Sequence, residues 1–125
     1  MKKTILIIED DNVISDMYRD KFMLSNFTVM TAEDGQKGLD LALKEKPDLI
    51  LLDLALPKLK GMDVMGTLRT SEWGKTVPII VLTNLNVDGK ILEAITRYSP
   101  VYCLLKANIT PEDVVIRAKE ITKYE

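Results

Sequence analysis

Asp48-Leu49-Ile50-Leu51-Leu52-Asp53-Leu54-Ala55-Leu56-Pro57 is the stretch of this sequence that decides the fold. Four consecutive aliphatic residues before an acid are typical of a strand that is covered on both faces, as in the middle of a parallel sheet. Pro57 cannot continue a central strand, and Gly61 precedes the next helical pattern. The stretch therefore predicts a buried strand whose carboxyl end delivers Asp53 to a loop.

Other short aliphatic runs alternate with helical patterns on both sides of this strand. The predicted strands are 4–8, 27–32, the opening stretch, 78–83 and 101–105, and the predicted helices begin near residues 12, 35, 61, 87 and 111. The helical spacing also predicts that four apolar residues face inward: Met17, Leu24, Leu43 and Leu92.

Five strands that alternate with five helices predict an α/β fold. We expect an all-parallel sheet with right-handed crossovers and helices on both faces, which is a three-layer sandwich. The first strand ends in Glu9-Asp10-Asp11 and lacks a Gly-x-Gly-x-x-Gly turn. The flavodoxin-like strand order 2-1-3-4-5 is therefore favoured over a dinucleotide-binding order.

Length and composition predict one domain over residues 1–125, with 46% apolar and 29% charged residues and a net charge of −2. No basic field is present for direct nucleic-acid binding. Cys103 is the single cysteine and the chain has no histidine, which excludes internal disulfides, Ser/His/Asp triads and histidine-ligated zinc. The amino-terminal apolar run is too short for a signal and no run would span a membrane, so we expect a cytoplasmic protein.

The carboxyl ends of the predicted strands carry a distinctive set of polar residues. Glu9 and Asp10 follow the first strand, Asp53 the third, Thr83 ends the fourth and Lys106 follows the fifth. Ligands of open parallel sheets bind outside the carboxyl ends of the strands, at the switch point between strands one and three. Three carboxylates, a hydroxyl and an ammonium are therefore predicted to converge on one crevice.

Three converging carboxylates would repel one another unless a cation lies among them. Mg²⁺ suits a site of few carboxylates, water and a phosphate oxygen, and the carbonyl of Ala55 is a possible further ligand. An aspartate can attack phosphorus when a metal screens the charge. Asp53 is the candidate nucleophile, and Thr83 and Lys106 are candidate donors to phosphoryl oxygens.

Each of these residues has an ordinary explanation when taken alone. Asp53 could be a turn residue, Glu9-Asp10-Asp11 a capping cluster, Thr83 a good strand residue, and Lys106 a lysine that extends from an edge. Their coincidence at one sheet edge favours a site.

Four segments together resemble the receiver domain of two-component response regulators, and they cover essentially the whole chain in the right order. They are Ile5-Leu6-Ile7-Ile8-Glu9-Asp10-Asp11, Ile50-Leu51-Leu52-Asp53-Leu54-Ala55-Leu56-Pro57 with Gly61, Ile79-Ile80-Val81-Leu82-Thr83, and Leu104-Leu105-Lys106. The resemblance implies that Asp53 accepts a phosphoryl group and that Glu9 and Asp10 bind Mg²⁺. It also implies that Thr83 is the switch hydroxyl and Lys106 the site lysine.

The sequence departs from the family pattern around this site. Ala107 follows Lys106 where the family usually has a proline in a cis bond, and Asn84 follows Thr83 where the family usually has a small residue. The segment from Thr83 to Lys106 is one residue longer than usual. The aromatic switch position therefore falls to Cys103 or to its neighbour Tyr102.

The resemblance implies a phosphorylation-dependent signalling switch and no classical enzyme, with at most self-phosphorylation and self-dephosphorylation. The donor would be a histidine kinase or a histidine phosphotransfer protein. The output would be a protein contact on the fourth helix, fifth strand and fifth helix, because the sequence ends with the fifth helix; the same ending fits a receiver cut from a longer protein. The receiver would act as a monomer or a phosphorylation-dependent dimer. Ala55 and Leu85 are apolar and cannot orient water, so we expect slow self-hydrolysis of the phosphate.

Two alternatives stay open at this point. The first is a receiver-like interaction module that binds partners without phosphorylation, which the departures at Asn84, Cys103 and Ala107 favour. The second is a Mg²⁺-dependent phosphohydrolase with Asp53 as nucleophile. Ala55 disfavours the second alternative, because enzymes that resemble the haloacid dehalogenase group have another aspartate two residues after the nucleophile.

Overall fold

A computed structural model describes residues 2–84 and 88–124, and it contains alternating strands and helices along the chain. The strands are β1 (Thr4–Ile8), β2 (Thr28–Ala32), β3 (Leu49–Leu52), β4 (Ile79–Thr83) and β5 (Tyr102–Leu105). The helices are α1 (Asn12–Leu24), α2 (Gly35–Glu45), α3 (Gly61–Thr70), α4 (Gly89–Arg97) and α5 (Pro111–Thr122). A short 3-10 helix spans Lys106–Asn108.

The strands form one parallel sheet in the order β2-β1-β3-β4-β5, as the sequence predicted. The central strand β3 is buried throughout, which explains its uninterrupted aliphatic sequence. Its register pairs Leu52 with Ile8 of β1 and with Val81 of β4. The carboxyl ends of these three strands therefore lie side by side.

Two hydrophobic clusters cover the two faces of the sheet. The first packs α2, α3 and α4 against one face, with Leu39, Leu68 and Ile95 among its buried members. The second packs α1 and α5 against the other face, with Phe22 and Val114 among its buried members. This arrangement confirms the three-layer sandwich.

Polar side chains cap four of the helices at their amino ends. Asp11, Asp34 and Asp88 accept hydrogen bonds from backbone N–H groups of α1, α2 and α4, and Thr110 does the same for α5. Pro111 is the first residue of α5, where a missing N–H costs nothing. These caps fix where the helices begin at the edge of the sheet that carries the predicted site.

Four apolar residues that were predicted to face inward are exposed, so this prediction is wrong. Met17 and Leu24 of α1 are 38% and 82% exposed, and Leu43 of α2 and Leu92 of α4 are 39% and 49% exposed. Each helix touches the sheet along a stripe that is narrower than its apolar face, and these residues flank that stripe.

The fourth helix is the most lightly packed helix in the described part of the chain. Of its nine residues only Ile95 is buried, whereas α2 buries Gly35, Gly38, Leu39 and Ala42. The predicted start of this helix at residue 87 lies outside the described residues, in which the helix begins at Gly89. No helix in 2–84 or 88–124 has the length and hydrophobicity needed to cross a bilayer.

Candidate functional site

The sheet brings the predicted acidic residues together at its carboxyl edge. Glu9 and Asp53 directly follow Ile8 and Leu52, which are partners in the register of β1 and β3. Carboxylate oxygens of Glu9, Asp10 and Asp53 all lie within 4.8 Å of one another. Parallel pairing of two aliphatic strands is therefore sufficient to build an acidic group from residues far apart in sequence.

The three acids differ in their exposure to solvent. Glu9 and Asp53 are buried, at 5% and 6% exposed, while Asp10 is exposed. Glu9 is held inward because its Oε2 accepts hydrogen bonds from the backbone N–H groups of Asp10 and Asp11, at 3.0 and 3.4 Å. The group thus has two carboxylates inside the fold and one at the solvent boundary.

Lys106 joins the two buried carboxylates. Its Nζ donates to Glu9 Oε1 at 2.5 Å and to Asp53 Oδ2 at 3.1 Å, and its side chain is 13% exposed. The lysine reaches them from the first position of the 3-10 helix that follows β5. A cation with this placement partly compensates the two buried negative charges.

The electrostatics of the site reflect this crowding of charge. Burial, followed by the hydrogen bond and the charge of Asp53, raises the pKa of Glu9 to about 7, although Lys106 acts in the opposite direction. Burial alone would lower the pKa of Lys106, but its contacts with Glu9 and Asp53 outweigh burial and raise it. The site therefore has an excess of negative charge that one lysine does not neutralise.

The backbone around Asp53 is held by hydrogen bonds to the neighbouring strand and within the loop that follows. Asp53 N–H donates to Ile8 O at 3.0 Å, and Ala55 N–H donates to Asp53 Oδ1 at 3.2 Å. Gly61 N–H donates to Leu54 O at 3.1 Å, and a Cβ on Gly61 would overlap the Asp53 carbonyl oxygen. The start of α3 can therefore approach the site only because residue 61 is glycine.

An open cleft of about 360 Å³ lies above these residues. Its described lining comprises Glu9, Asp10, Asp11, Ile14, Asp53, Ala55, Asn84 and Lys106. Asn84 stands where the family usually has a small residue, and it is part of this lining beside the acids. Leu85, which was predicted to flank the site, lies outside the described residues.

Thr83 ends β4 and is fully buried, at 0% exposed. Alternation along β4 places it on the same face of the sheet as Val81, towards α3 and α4. Cys103 is the register partner of Val81 and packs against that same cluster. Tyr102 packs on the opposite face, where the Arg117 guanidinium lies 4.5 Å from its ring centroid. Of these two neighbours, Cys103 therefore lies on the Thr83 face.

Cys103 and Ala107 are two of the positions at which the sequence departs from the family pattern. Cys103 is a free, partly buried thiol, and burial raises its pKa. No cis peptide bond occurs in residues 2–84 or 88–124, and Ala107 lies within the short 3-10 helix.

The donor set fits a hard divalent cation. Two buried carboxylates and one exposed carboxylate offer oxygen ligands within a small volume, and the open cleft leaves room for water and a phosphate oxygen. Mg²⁺ prefers such a partial set of oxygen ligands to a complete protein cage.

A family model described as the response regulator receiver domain matches residues 5–118. The chain belongs to this family. Members of the receiver family are signalling switches and bind Mg²⁺ at an acidic pocket, and this receiver has such a group in Glu9, Asp10 and Asp53.

Two curated relatives illustrate the range of proteins that contain similar sequences. The DNA-binding dual master transcriptional regulator RpaA of Synechocystis is 44% identical over 88 residues, which cover 70% of this receiver and 36% of RpaA. The polar-differentiation response regulator DivK of Brucella anthropi is 32% identical over 89 residues, which cover 71% of this receiver and 72% of DivK. This receiver thus matches only about a third of RpaA but most of DivK.

Solved structures agree with the fold. The BeF3-activated receiver domain of RstA from Klebsiella pneumoniae has a TM-score of 0.84 at 25% identity, over 97% of this receiver and 99% of that chain. The receiver domain of the sensor histidine kinase PA1611 from Pseudomonas aeruginosa has a TM-score of 0.86 at 24% identity, over 98% and 99%. The latter structure has a magnesium ion coordinated in its active-site cleft.

Sequence reasoning missed the residues that hold the loop after Asp53. Pro57 O accepts from Gly35 N–H at 3.3 Å, and Lys58 Nζ lies 4.0 Å from Asp34 Oδ2. The sequence predicted only that the second helix begins near residue 35. The contact of this helix start with residues more than twenty positions later leaves no periodic signal in the sequence.

Proposed function

We propose that this receiver is a Mg²⁺-dependent phosphorylation switch whose phosphoacceptor is Asp53. The observation that carries the proposal is the bridge of Lys106 between the buried carboxylates of Glu9 and Asp53, beside exposed Asp10. This arrangement holds one aspartate at the end of a buried strand, next to a fixed cation and to oxygen ligands for a metal. Such groups are the ones that transfer of a phosphoryl group to a carboxylate requires.

The proposed transfer is a displacement at phosphorus. A carboxylate oxygen of Asp53 forms a bond to phosphorus, while the bond between phosphorus and the donor's histidine nitrogen breaks and leaves its electron pair on the imidazole. The donor histidine must lie outside residues 1–125, because this sequence contains no histidine. A histidine kinase or a histidine phosphotransfer protein meets this requirement.

The residues around Asp53 have separate proposed roles. Glu9, Asp10, Asp53 and the carbonyl of Ala55 would hold Mg²⁺, which supplies positive charge against the repulsion between the carboxylate and the incoming phosphoryl group. Lys106, already paired with Asp53, would bind a phosphoryl oxygen as a point charge. Thr83 would donate its hydroxyl to another phosphoryl oxygen and so transmit phosphorylation to the α4 side of the sheet.

The proposed output surface is formed by α4, β5 and α5. Thr83 and Cys103 lie on the sheet face towards α4, and α4 buries only Ile95 among its nine residues. A lightly packed element can shift between arrangements at low cost, which is what a population-shift mechanism requires. The downstream target would be a protein that distinguishes these arrangements.

Ala55 supports a long-lived phosphorylated state. It is exposed beside Asp53 and has no polar group that could orient an attacking water. We expect that replacing Ala55 with a polar residue accelerates loss of the phosphoryl group. An unchanged dephosphorylation rate in such a variant would contradict this part of the proposal.

Intact-protein mass measurement tests the proposed function. After incubation with Mg²⁺ and acetyl phosphate, the wild type should gain one phosphoryl group, and Asp53→Asn should gain none. Asp63→Asn is the matched control, because Asp63 is an exposed aspartate on α3. It should gain one group like the wild type.

The same measurement distinguishes the two alternatives. If neither the wild type nor Asp63→Asn gains mass, the proposal is contradicted in favour of an interaction module that works without phosphorylation. If phosphate is released over many turnovers, it is contradicted in favour of a phosphohydrolase.

A further inference from the structure

The start of α2 lies against the loop that follows Asp53. Asp34 caps this helix through a hydrogen bond from Lys37 N–H to its Oδ1 at 2.8 Å, and Asp34 itself is 3% exposed. The next residue, Gly35, donates its N–H to Pro57 O at 3.3 Å. The cap therefore fixes a backbone donor that contacts the loop directly.

The part of the loop that Gly35 contacts has an unfavourable backbone conformation. Leu59 N–H donates to Pro57 O at 2.8 Å, which closes a γ-turn around Lys58. Lys58 has φ of 67°, in the left-handed region that residues with a side chain seldom adopt. Such a conformation persists only where surrounding contacts impose it.

Gly35 can make this contact because it has no side chain. A Cβ at residue 35 would overlap the backbone carbonyl of Leu59, and a backbone atom cannot move aside by a change of rotamer. Asp34 adds a charge contact, since its Oδ2 lies 4.0 Å from Lys58 Nζ. Lys58 is mostly exposed, so this ion pair contributes little compared with the backbone contacts.

The loop is therefore held at two places. At its beginning, Gly61 at the start of α3 donates to Leu54 O and packs against the Asp53 carbonyl. At its middle, Gly35 holds Pro57 and Leu59. Ala55 lies between these two places, so the position of its carbonyl depends on both.

We propose that Asp34 and Gly35 are positioning residues for phosphorylation, which hold the loop 54–61 so that the Ala55 carbonyl faces the acidic group. This inference rests on the proposed function, because it assigns a role in metal binding and phosphoryl acceptance. Neither residue lies in the cleft above Asp53, and both act through Pro57, Lys58 and Leu59.

The chain contains its own control for this inference. α4 also begins with Asp-Gly: Asp88 caps the helix through a hydrogen bond from Ile91 N–H at 2.9 Å, and Gly89 is the first helical residue. Apart from its chain neighbours and the backbone of α4 itself, no atom of the described residues lies within 4 Å of a Cβ built on Gly89. The same substitution should therefore affect the loop 54–61 when it is made at Asp34 or Gly35, and should leave the loop unchanged when it is made at Asp88 or Gly89.

The first test is amide hydrogen exchange of the metal-free full chain. In Gly35→Ala the N–H groups of Leu59 and Gly61 should exchange faster, on the order of tenfold, because the loop loses the contacts that impose its conformation. Gly89→Ala should leave both rates unchanged. Equal rates in all three proteins would overturn the inference.

The second test uses the caps, in case Gly35→Ala does not fold. Asp34→Ala removes one capping hydrogen bond, a loss that a folded domain tolerates, and Asp34→Asn keeps a capping oxygen. The Mg²⁺ dissociation constant, obtained from the rise of the melting temperature with Mg²⁺ concentration, should increase in Asp34→Ala, on the order of tenfold as for other groups that orient metal ligands. It should return towards the wild-type value in Asp34→Asn and stay unchanged in Asp88→Ala.

The outcomes separate this inference from the proposed function. If the wild type takes no phosphoryl group from acetyl phosphate, the proposed function fails. If the wild type is phosphorylated but Asp34→Ala and Asp88→Ala both have the Mg²⁺ dissociation constant of the wild type, only the positioning role fails.

Discussion

The helices α2 and α4 begin with the same Asp-Gly pair but serve different surroundings. Gly35 is pressed against the backbone of Leu59, whereas Gly89 faces open space among the described residues. Both aspartates cap their helices in the same way. The same local signal therefore starts both helices, while tertiary contacts decide which of them is fixed to the loop 54–61 that follows Asp53.

The difference extends along both helices. α2 buries four residues, and α4 buries one. The carboxyl end of α4, however, is tied down by Arg69 of α3, which donates to Tyr98 O and Ser99 O at 2.8 and 3.3 Å. We infer that α2 holds the site still, while α4 is anchored at one end and can move at the other.

The largest expected effect comes from removing this anchor. Arg69 also donates to Gly74 O and Val77 O, both at 2.8 Å, and burial lowers its pKa. Arg69→Ala leaves these carbonyls without their donor, so we expect a loss of roughly 2–4 kcal/mol in the free energy of unfolding by urea. Arg97→Ala, at an exposed position of α4, should change it by less than about 0.5 kcal/mol. Equal losses would show that α4 has no special anchor.

Mg²⁺ should have a smaller effect on the free energy of unfolding, and it should act on the loop 54–61, which α2 holds. At ten times its dissociation constant, a ligand that binds only the folded state stabilises it by about 1.4 kcal/mol. Asp10→Asn should lose most of this stabilisation, and Asp63→Asn should keep it. Exchange of the loop 54–61 should slow with Mg²⁺, while exchange of α4 should not change. Slower exchange in α4, with no change in the loop 54–61, would contradict the inference that α2 holds the site still while α4 can move at one end.

The smallest effect is expected at Gly89. Alanine there meets no described atom and restricts the unfolded chain, so Gly89→Ala should raise the free energy of unfolding by about 0.4–1 kcal/mol. Gly35→Ala should lower it, because its Cβ overlaps a backbone carbonyl. Thermal or urea unfolding measures both changes. Changes of the same sign in the free energy of unfolding would contradict the inference that the start of α2 is held by tertiary contacts that the start of α4 lacks.

Much of the fold could be predicted because it depends on local patterns. The aliphatic run before Asp53 predicted a buried central strand, and the polar residues that follow the strands predicted the acidic group, since parallel strands end at one edge. The predicted helix start near residue 111 is confirmed, because Pro111 at the first helical position is a local signal.

The remaining features depend on contacts that are distant in sequence. Helical periodicity could not show that Leu24 and Leu92 lie beside the contact stripe, because that stripe is set by the neighbouring elements. The position of Cys103 was ambiguous until the register paired it with Val81. Gly35 was indistinguishable from any turn glycine, because its partner Leu59 belongs to another loop.

The proposed switch can be measured by amide hydrogen exchange of the phosphorylated and unphosphorylated protein. We expect phosphorylation at Asp53 to change the exchange of α4 several-fold and to leave that of α2 unchanged, with no change in Asp53→Asn under the same conditions. Unchanged exchange in α4, or a change of equal size in α2, would contradict the proposed switch.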